Sequence, residues 1–418
     1  PKDSRSRSDE ASIRAAKETT PMLKKCSSGG IYIHPWDITE EGIDNCFDYL
    51  ADTCGLNELF LAAVYHANTF LLPHNPKRMV RWDNGSVFFT PQHPRWRETR
   101  IRPILGDCVD TAGYLANIVD AARHRDWGIL FFTVFHMSHS TAQAYPDACC
   151  VDAMGERHRA YLCPANPDVR AYDLAIVEEL MTTYGGDGIR HESLGFGRWN
   201  QSFVIDKVET MPSPRDQFLL SLCFCGSCLE RARNEAVDGD ALRFAVRQHL
   251  YKQLPENPAT WDMDPVDEQW ARNAFDGQLW RFLDVRCNTV TSLFVQIQEI
   301  INRSSGAFMP FSLRNDRCVM SGLDYSQLYP HLKRASFGCR GDTLDEMKQD
   351  MIDNVKQVPD WAEPEIMHNQ RAFESMESLR DTVHAMREAG VRHHSFHYYG
   401  MSRRDQLEWI GHARKAWG

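Results

Sequence analysis

The chain has 418 residues, of which 43% are hydrophobic and 25% are charged, and this ordinary globular composition allows one large barrel or two average domains. Its net charge of −10 argues against a basic face for nucleic acid or an anionic membrane. No stretch approaches the roughly 20 apolar residues that span a bilayer. The polar residues 1–29 predict an N-terminal arm before a single domain over 30–418, and thirteen dispersed cysteines indicate reduced thiols in a cytoplasmic protein.

Short apolar runs alternate with helix-length amphipathic segments along the chain, which is the pattern of repeated β-α units. The eight runs begin at Gly30, Glu58, Gly128, Gly188, Ala307, Arg334, Pro364 and His393. Eight strands separated by helices imply parallel pairing through crossovers, and eight is the number at which such a sheet closes. The alternation therefore predicts an α/β fold, a (β/α)8 TIM barrel. A doubly wound open sheet is the alternative, although no Gly-rich phosphate turn follows the first run.

Two details of this pattern concern helices. A helix is predicted from Glu40, with Thr39 as its N-cap. Residues 197–305 are too many for one helix, and we interpret them as a helical insertion in the barrel that includes a long helix over 265–303.

The tract CFCGSC lies in this insertion, and its C-x-x-C pair supplies half of a zinc site. Cys149, Cys150 or Cys163 could complete that site, and packed reduced thiols are the alternative.

Polar and aromatic residues collect at the carboxyl ends of the runs. In a barrel these ends meet at one face, where the active sites of this fold lie, so the sequence predicts one concave polar site. Aromatic rings stack on the C–H faces of sugars, while His, Asn, Gln and Arg side chains bind hydroxyl groups, so a carbohydrate suits this composition. The predicted substrate-binding residues are His34, Trp36, His66, Asn68, His136, Arg198, Trp199, His368, Asn369, Gln370, Tyr398 and Tyr399.

Glu192, near the end of the fourth run, is the predicted catalytic acid. Apolar neighbours would raise the pKa of its carboxyl group, which suits a general acid. An ion pair with Arg190, on the same face of the strand, is the alternative. Glycoside hydrolysis also needs a second carboxylate. Asp37 is the first candidate, although it could instead cap the following helix, and Asp342 is the second.

Five stretches of the sequence give a further indication: IYIHPWD, YHANTFLLPHNPKR, LCPANPDVRAY, DGIRHESLGF and LLSLCFCGSC. Together they resemble an uncharacterised family of glycoside-hydrolase-like TIM-barrel proteins, and the likeness extends from about residue 30 to residue 250. The resemblance implies a carbohydrate-active barrel with Glu192 as its acid. Arg190 and His191 depart from the family pattern, which has acidic or apolar residues before this Glu. Because the family's label rests on fold analogy, it supports the architecture better than the substrate.

The leading hypothesis is thus a glycoside hydrolase that acts on a carbohydrate or glycoside, needs no cofactor and has no nucleic-acid or membrane partner; a homo-oligomer is compatible with it. A metal-dependent barrel enzyme, such as a sugar isomerase or hydrolase, is the first alternative. It would place His34, His66, His136 and Glu192 around a divalent ion, although the first run lacks a His-x-His pair. A non-catalytic sugar-binding barrel is the second alternative.

Overall fold

A computed structural model describes residues 28–201, 207–209, 211–256, 266–310, 321–328, 332–338, 343–356, 358 and 362–415. Asp342 and most of the predicted N-terminal arm lie outside these ranges. The division into an arm and one domain stays a prediction. No helix of the described ranges is both long enough and apolar enough to cross a membrane.

One sheet holds eight parallel strands. They are β1 (Ser28–Ile33), β2 (Glu58–Leu71), β4 (Gly128–Val134), β7 (Gly188–Glu192), β8 (Ala307–Pro310), β9 (Arg334–Gly338), β10 (Glu363–Asn369) and β11 (His393–His397). Three strands lie outside this set: β3 (Val80–Val87), β5 (Cys149–Val151) and β6 (Arg157–Leu162). The first of these pairs with β2 in an antiparallel hairpin, and the other two pair with each other.

Helices connect the strands. The α-helices are α1 (Pro35–Glu41), α2 (Ile43–Asp48), α3 (Tyr114–His124), α4 (His139–Ala144), α5 (Pro167–Glu178), α6 (Pro214–Leu220), α7 (Gly226–Asn234), α8 (Gly239–Glu256), α9 (Glu268–Asn273), α10 (Gln278–Arg303), α11 (Tyr325–Leu328), α12 (Leu344–Val355), α13 (Met376–Glu388) and α14 (Arg404–Lys415). Single π-helical turns, Tyr49–Thr53 and Glu179–Thr183, extend α2 and α5. Short 3₁₀ turns span Pro94–Glu98, Pro146–Ala148, Ala274–Gly277 and Gln370–Ala372.

The parallel strands follow one another around a nearly closed cylinder in the order β8-β7-β4-β2-β1-β11-β10-β9. The two ends of this order, β8 and β9, flank a seam that no ladder closes within the described ranges. The predicted (β/α)8 TIM barrel is therefore confirmed, and the open-sheet alternative is wrong.

Side chains alternate between the two surfaces of the cylinder, as the pleat of a strand requires. Outward residues such as Ile31, Leu59 and Phe308 pack beneath the helices in the largest apolar cluster. Inward residues such as Tyr32 and Phe60 stack with their ring centroids 4.8 Å apart. Burying each such side chain stabilises the fold by roughly 1.5–3 kcal/mol, so the alternation fixes which face of each strand points into the barrel.

The barrel interior also holds a network of buried charges. The Arg190 guanidinium pairs with Glu365 at 2.7 Å, and Arg334 pairs with Glu58 at 2.9 Å and with Glu365 at 3.2 Å. Ser395 Oγ donates a further hydrogen bond to Glu365 at 2.8 Å. Burial alone would raise the pKa of Glu365, but the two arginines hold it below its usual value. Its carboxylate is therefore charged inside the protein.

Some predicted helix ends are wrong. The helix predicted from Glu40 begins at Pro35, because proline fits the first turn and the Asp37 carboxylate accepts a hydrogen bond from the His34 amide. Thr39 therefore lies inside α1 instead of capping it. The long helix predicted over 265–303 is broken at Phe275 and Asp276, whose positive φ angles separate α9 from α10.

Candidate functional site

A cleft of about 340 Å³ opens at the carboxyl ends of β2, β7, β10 and β11. We call it the Glu192 cleft, and its lining residues are Tyr65, His66, Asn68, Glu192, Asn369, Gln370, Arg371, His397, Tyr398, Met401 and Ser402. Six of these were predicted site residues: Glu192, His66, Asn68, Asn369, Gln370 and Tyr398. Residues from strands far apart in the sequence thus meet at the face where barrel enzymes bind their ligands.

Glu192 is the last residue of β7, and its half-buried side chain lines the cleft. Burial raises the pKa of its carboxyl group from 4.5 to about 7. In the described part of the chain Arg190 pairs with Glu365, so the ion pair with Glu192 considered from the sequence does not form. A carboxyl group with this pKa carries a proton for much of the time at neutral pH and can deliver it to a bound ligand.

Two tyrosines form one wall of the cleft. The hydroxyl groups of Tyr65 and Tyr398 are 2.8 Å apart, and both side chains are almost fully buried. Burial raises the pKa of each tyrosine, and the neighbouring Glu192 carboxylate raises both further. Both hydroxyl groups are therefore neutral and can donate hydrogen bonds at physiological pH.

The histidines of the cleft are neutral as well. Burial lowers the pKa of His66 to about 4 and lowers the pKa of His397 well below its usual range. Neutral imidazoles offer one donor and one acceptor nitrogen, and the amides of Asn68 and Asn369 add further groups of both kinds. Arg371, at the rim, is exposed to solvent. The described residues that line the cleft thus combine neutral hydrogen-bonding groups with one carboxylate and one rim cation.

His34 and Trp36 lie behind this wall, not on it. Their rings stack 4.3 Å apart, and both side chains are buried. The His34 ring meets Tyr65 edge-on at 4.8 Å and lies 5.6 Å from the Tyr398 ring. His34 thus packs against both tyrosines and Trp36 packs against His34, and neither is among the described residues that line the Glu192 cleft.

Four other predicted site residues are buried and bonded inside the protein. Asp37 belongs to the cap of α1, which confirms the capping alternative. His136 lies 2.9 Å from the Asp173 carboxylate, and His368 stacks on the ring of a neighbouring histidine. The Tyr399 hydroxyl donates a hydrogen bond to a glutamate on α1 at 2.7 Å. None of the four is among the described residues that line the Glu192 cleft.

Arg198 and Trp199 line a second cleft, of about 440 Å³, which we call the Trp199 cleft. The hairpin of β5 and β6 lines one side of it, and residues 220–222 of the helical insertion line another. Tyr161, in its wall, donates a hydrogen bond at 3.3 Å to the carbonyl of Ser193, the residue after Glu192. The two clefts are therefore neighbours. Asp342, the remaining predicted catalytic residue, lies outside the described residues.

Five residues that line the Glu192 cleft were not predicted from the sequence: Tyr65, Arg371, His397, Met401 and Ser402. Tyr65 faces inward because a β-bulge between Ala62 and Val64 shifts the alternation of β2 by one residue. His397 could have been identified only from its place at the end of a strand, because it is the last residue of β11 as Glu192 is the last residue of β7.

The ligand group of the metal-dependent alternative is not assembled. Across the ranges that the structure describes, one group of three or more close potential metal ligands occurs, and it consists of Cys163, Cys223, Cys225 and Cys228. None of the four residues proposed for a divalent ion at the strand ends belongs to it.

No family model matches the chain, and no curated protein matches it either. Among solved structures, the chain is similar to α-L-fucosidase isoenzyme 2 from Paenibacillus thiaminolyticus, with a TM-score of 0.55 and 12% identity over 94% of this chain and 50% of that one. It is also similar to a β-galactosidase from the psychrophilic Marinomonas ef1, with a TM-score of 0.52 and 9% identity over 93% of this chain and 59% of that one. A third similar structure is the catalytic domain of β-amylase from Paenibacillus polymyxa, with a TM-score of 0.50 and 10% identity over 93% of this chain and 97% of that one.

The chain thus spans half of the fucosidase and about three fifths of the β-galactosidase, but nearly all of the β-amylase catalytic domain. At such low identities, these likenesses show the shared barrel fold.

Proposed function

We propose that the protein is a glycosidase, a hydrolase acting on glycosidic bonds, in which Glu192 is the general acid. The observation that carries the proposal is a carboxyl group of raised pKa in a cleft at the carboxyl ends of the barrel strands. Protonated Glu192 would donate its proton to the glycosidic oxygen as the bond to the sugar breaks. The similarity of the fold to three carbohydrate-processing enzymes supports the same reaction class.

The other groups of the Glu192 cleft suit a sugar. His66, Asn68, Asn369 and Gln370 supply neutral donors and acceptors for hydroxyl groups, and the neutral Tyr398 hydroxyl adds another. Neutral groups bind hydroxyls without the strong desolvation cost of charged ones. We therefore assign these five residues to substrate binding, with a carbohydrate or glycoside as the ligand.

A second carboxylate must supply the nucleophile or activate water. Among the described residues that line the cleft, Glu192 is the only carboxylate, and Asp37 is occupied in the cap of α1. We propose Asp342 for this role, because it follows β9, whose neighbour β10 contributes Asn369 to the cleft.

The test is turnover of a panel of aryl glycosides and natural disaccharides by the wild type, Glu192→Gln and Asp342→Asn. Removing a general acid costs about 10²–10⁴-fold in rate, and we expect this loss on disaccharides. Substrates with an activated aryl leaving group need less protonation, so Glu192→Gln should lose far less on them. Glu388→Gln, a change of an exposed residue on α13, is the matched control. A fully active Glu192→Gln variant would disprove the assignment.

Asp342→Asn should lose activity on both kinds of substrate, because its role is independent of the leaving group. If it supplies the nucleophile or base, added azide should restore turnover and yield a glycosyl azide. An Asp342→Asn variant as active as the wild type would assign the second role elsewhere.

A non-catalytic sugar-binding barrel is the second candidate, because a single carboxylate lines the described part of the cleft. Calorimetry distinguishes the two functions: tight binding of a sugar that the wild type never cleaves would favour it over the glycosidase.

A further inference from the structure

Four cysteines that are far apart in the sequence meet in space. Cys163 follows β6, and the other three belong to the CFCGSC tract at the start of α7. Cys163 Sγ lies 3.5 Å from the Sγ atoms of Cys225 and Cys228 and 3.8 Å from that of Cys223. All four sulfur atoms are within 4.8 Å of one another. A disulfide joins its sulfurs at about 2.05 Å, so these are four separate thiols.

The distances fit a single tetrahedral ion. Zinc bound by four thiolates at about 2.3 Å places neighbouring sulfurs about 3.8 Å apart. Cys163, Cys223 and Cys228 are buried, and Cys225 is half-buried. A polynuclear iron–sulfur cluster would have to hold its own iron and sulfide atoms between the thiolates, and sulfurs this close leave no room for it.

The surroundings suit negative charge on the sulfurs. The Val151 amide donates a hydrogen bond to Cys223 Sγ at 3.4 Å. Cys225 is the N-cap of α7 and Cys228 lies in its first turn, so the positive end of the helix dipole faces both. The buried guanidinium of Arg286 interacts electrostatically with Cys223 and Cys228. Such outer contacts orient and stabilise the thiolate ligands of a metal.

We propose that Cys163, Cys223, Cys225 and Cys228 bind one structural Zn²⁺ ion. Four protein ligands leave no open position on the metal, so the site is structural and not catalytic. Each thiol releases its proton to solvent when the ion binds. The site goes beyond the proposed glycosidase activity and does not depend on it.

The ion would join the loop after β6 to the helical insertion. The β5–β6 hairpin that leads to Cys163 lines the Trp199 cleft with Cys150 and Val151, and the insertion lines it with residues 220–222. Val151 additionally accepts a hydrogen bond from the amide of Phe224, inside the cysteine tract, at 2.6 Å. The proposed ion therefore sets the spacing of the two walls.

Elemental analysis of the full chain, purified without chelators, tests the proposal directly. We expect about one zinc ion per chain and its loss from Cys163→Ser and Cys225→Ser. Cys150→Ser is the matched control, since Cys150 packs against the same cluster outside the ligand set, and Cys108→Ser is a distant one. Both controls should retain zinc. Retention by Cys163→Ser, or loss from Cys150→Ser, would overturn the ligand set.

A second measurement uses the wild-type protein, because ligand variants can fail to fold. Protein produced in cobalt-supplemented medium should show the intense d–d absorption of tetrahedral cobalt thiolate. A mercurial thiol reagent should release the metal from the zinc form in step with modification of the cysteines. Wild-type protein that contains no metal, contains iron in place of zinc, or holds these cysteines as disulfides would overturn the zinc assignment.

Discussion

Glu365 and Glu192 both point into the same barrel, yet their pKa values move in opposite directions. Glu365 lies in the middle of the cylinder between two arginines, which hold its pKa below the usual value. Glu192 lies at the open end, and burial raises its pKa to about 7. Burial disfavours the charge of both carboxylates, so the difference comes from the partners. Pairing with two arginines keeps the Glu365 carboxylate charged, whereas Glu192, without such cations beside it, can exchange a proton.

The largest effect on the free energy of unfolding should come from breaking the ion pairs around Glu365. Arg334→Met leaves Glu58 and Glu365 with one fewer cation inside the barrel. Removing one partner of a buried ion pair costs about 3–5 kcal/mol, and urea unfolding measures this loss. Arg233→Met removes an exposed pair with Asp240 and should change the stability by less than about 1 kcal/mol. Equal effects of the two variants would contradict the role of the network.

A smaller effect, with a characteristic dependence on pH, should follow from Glu192→Gln. The folded pKa of Glu192 is raised from 4.5 to about 7, so the native state binds its proton more tightly than the unfolded state does. The resulting stabilisation is complete below pH 4.5 and is lost as the pH rises through 7. Glutamine has no carboxyl group that must ionise as the pH rises. The free energy of unfolding of the variant, relative to that of the wild type, should therefore be up to about 3 kcal/mol higher at pH 8 than at pH 4.

Urea unfolding of the wild type and the Glu192→Gln variant at a series of pH values measures this difference. A difference that stays constant across the series would show that the Glu192 pKa is not raised. Glu365→Gln sharpens the comparison because its sign is opposite: the paired carboxylate stabilises the native state above pH 4.5, and that contribution is lost as the pH falls through its lowered pKa.

The smallest effect concerns the neutral groups of the cleft. Tyr65→Phe removes the 2.8 Å hydrogen bond between Tyr65 and Tyr398. A neutral hydrogen bond contributes about 1 kcal/mol, so the melting temperature should fall only slightly. Tyr172→Phe, another buried tyrosine outside the Glu192 cleft, serves as the comparison in calorimetry. If Tyr65→Phe lost as much stability as Arg334→Met, the tyrosine pair would have a greater structural role than its contacts indicate.

The barrel could be predicted because its signal is local. Each apolar run and each amphipathic helix is read from neighbouring residues, and eight such units are the number at which a parallel sheet closes. The carboxyl-end position of Glu192 follows from the same pattern.

The network inside the barrel could not be predicted in this way. The spacing along β7 allows Arg190 to pair with Glu192, but Arg190 pairs with Glu365, which lies 175 residues later in the chain. Likewise, the bulge in β2 that turns Tyr65 inward follows from pairing with neighbouring strands. Contacts between distant elements decide both features, and hydrophobic periodicity does not encode them.

The seam between β8 and β9 gives the charge network a further consequence. A cut at the seam would divide the chain into a longer fragment that holds Glu58 and Arg190 and a shorter one that holds Arg334 and Glu365. Two of the three arginine–glutamate pairs, Arg190–Glu365 and Arg334–Glu58, would then run between the fragments. Each fragment offers one cation and one anion to its counterpart, so these pairs favour one way of joining the five-stranded fragment to the three-stranded one.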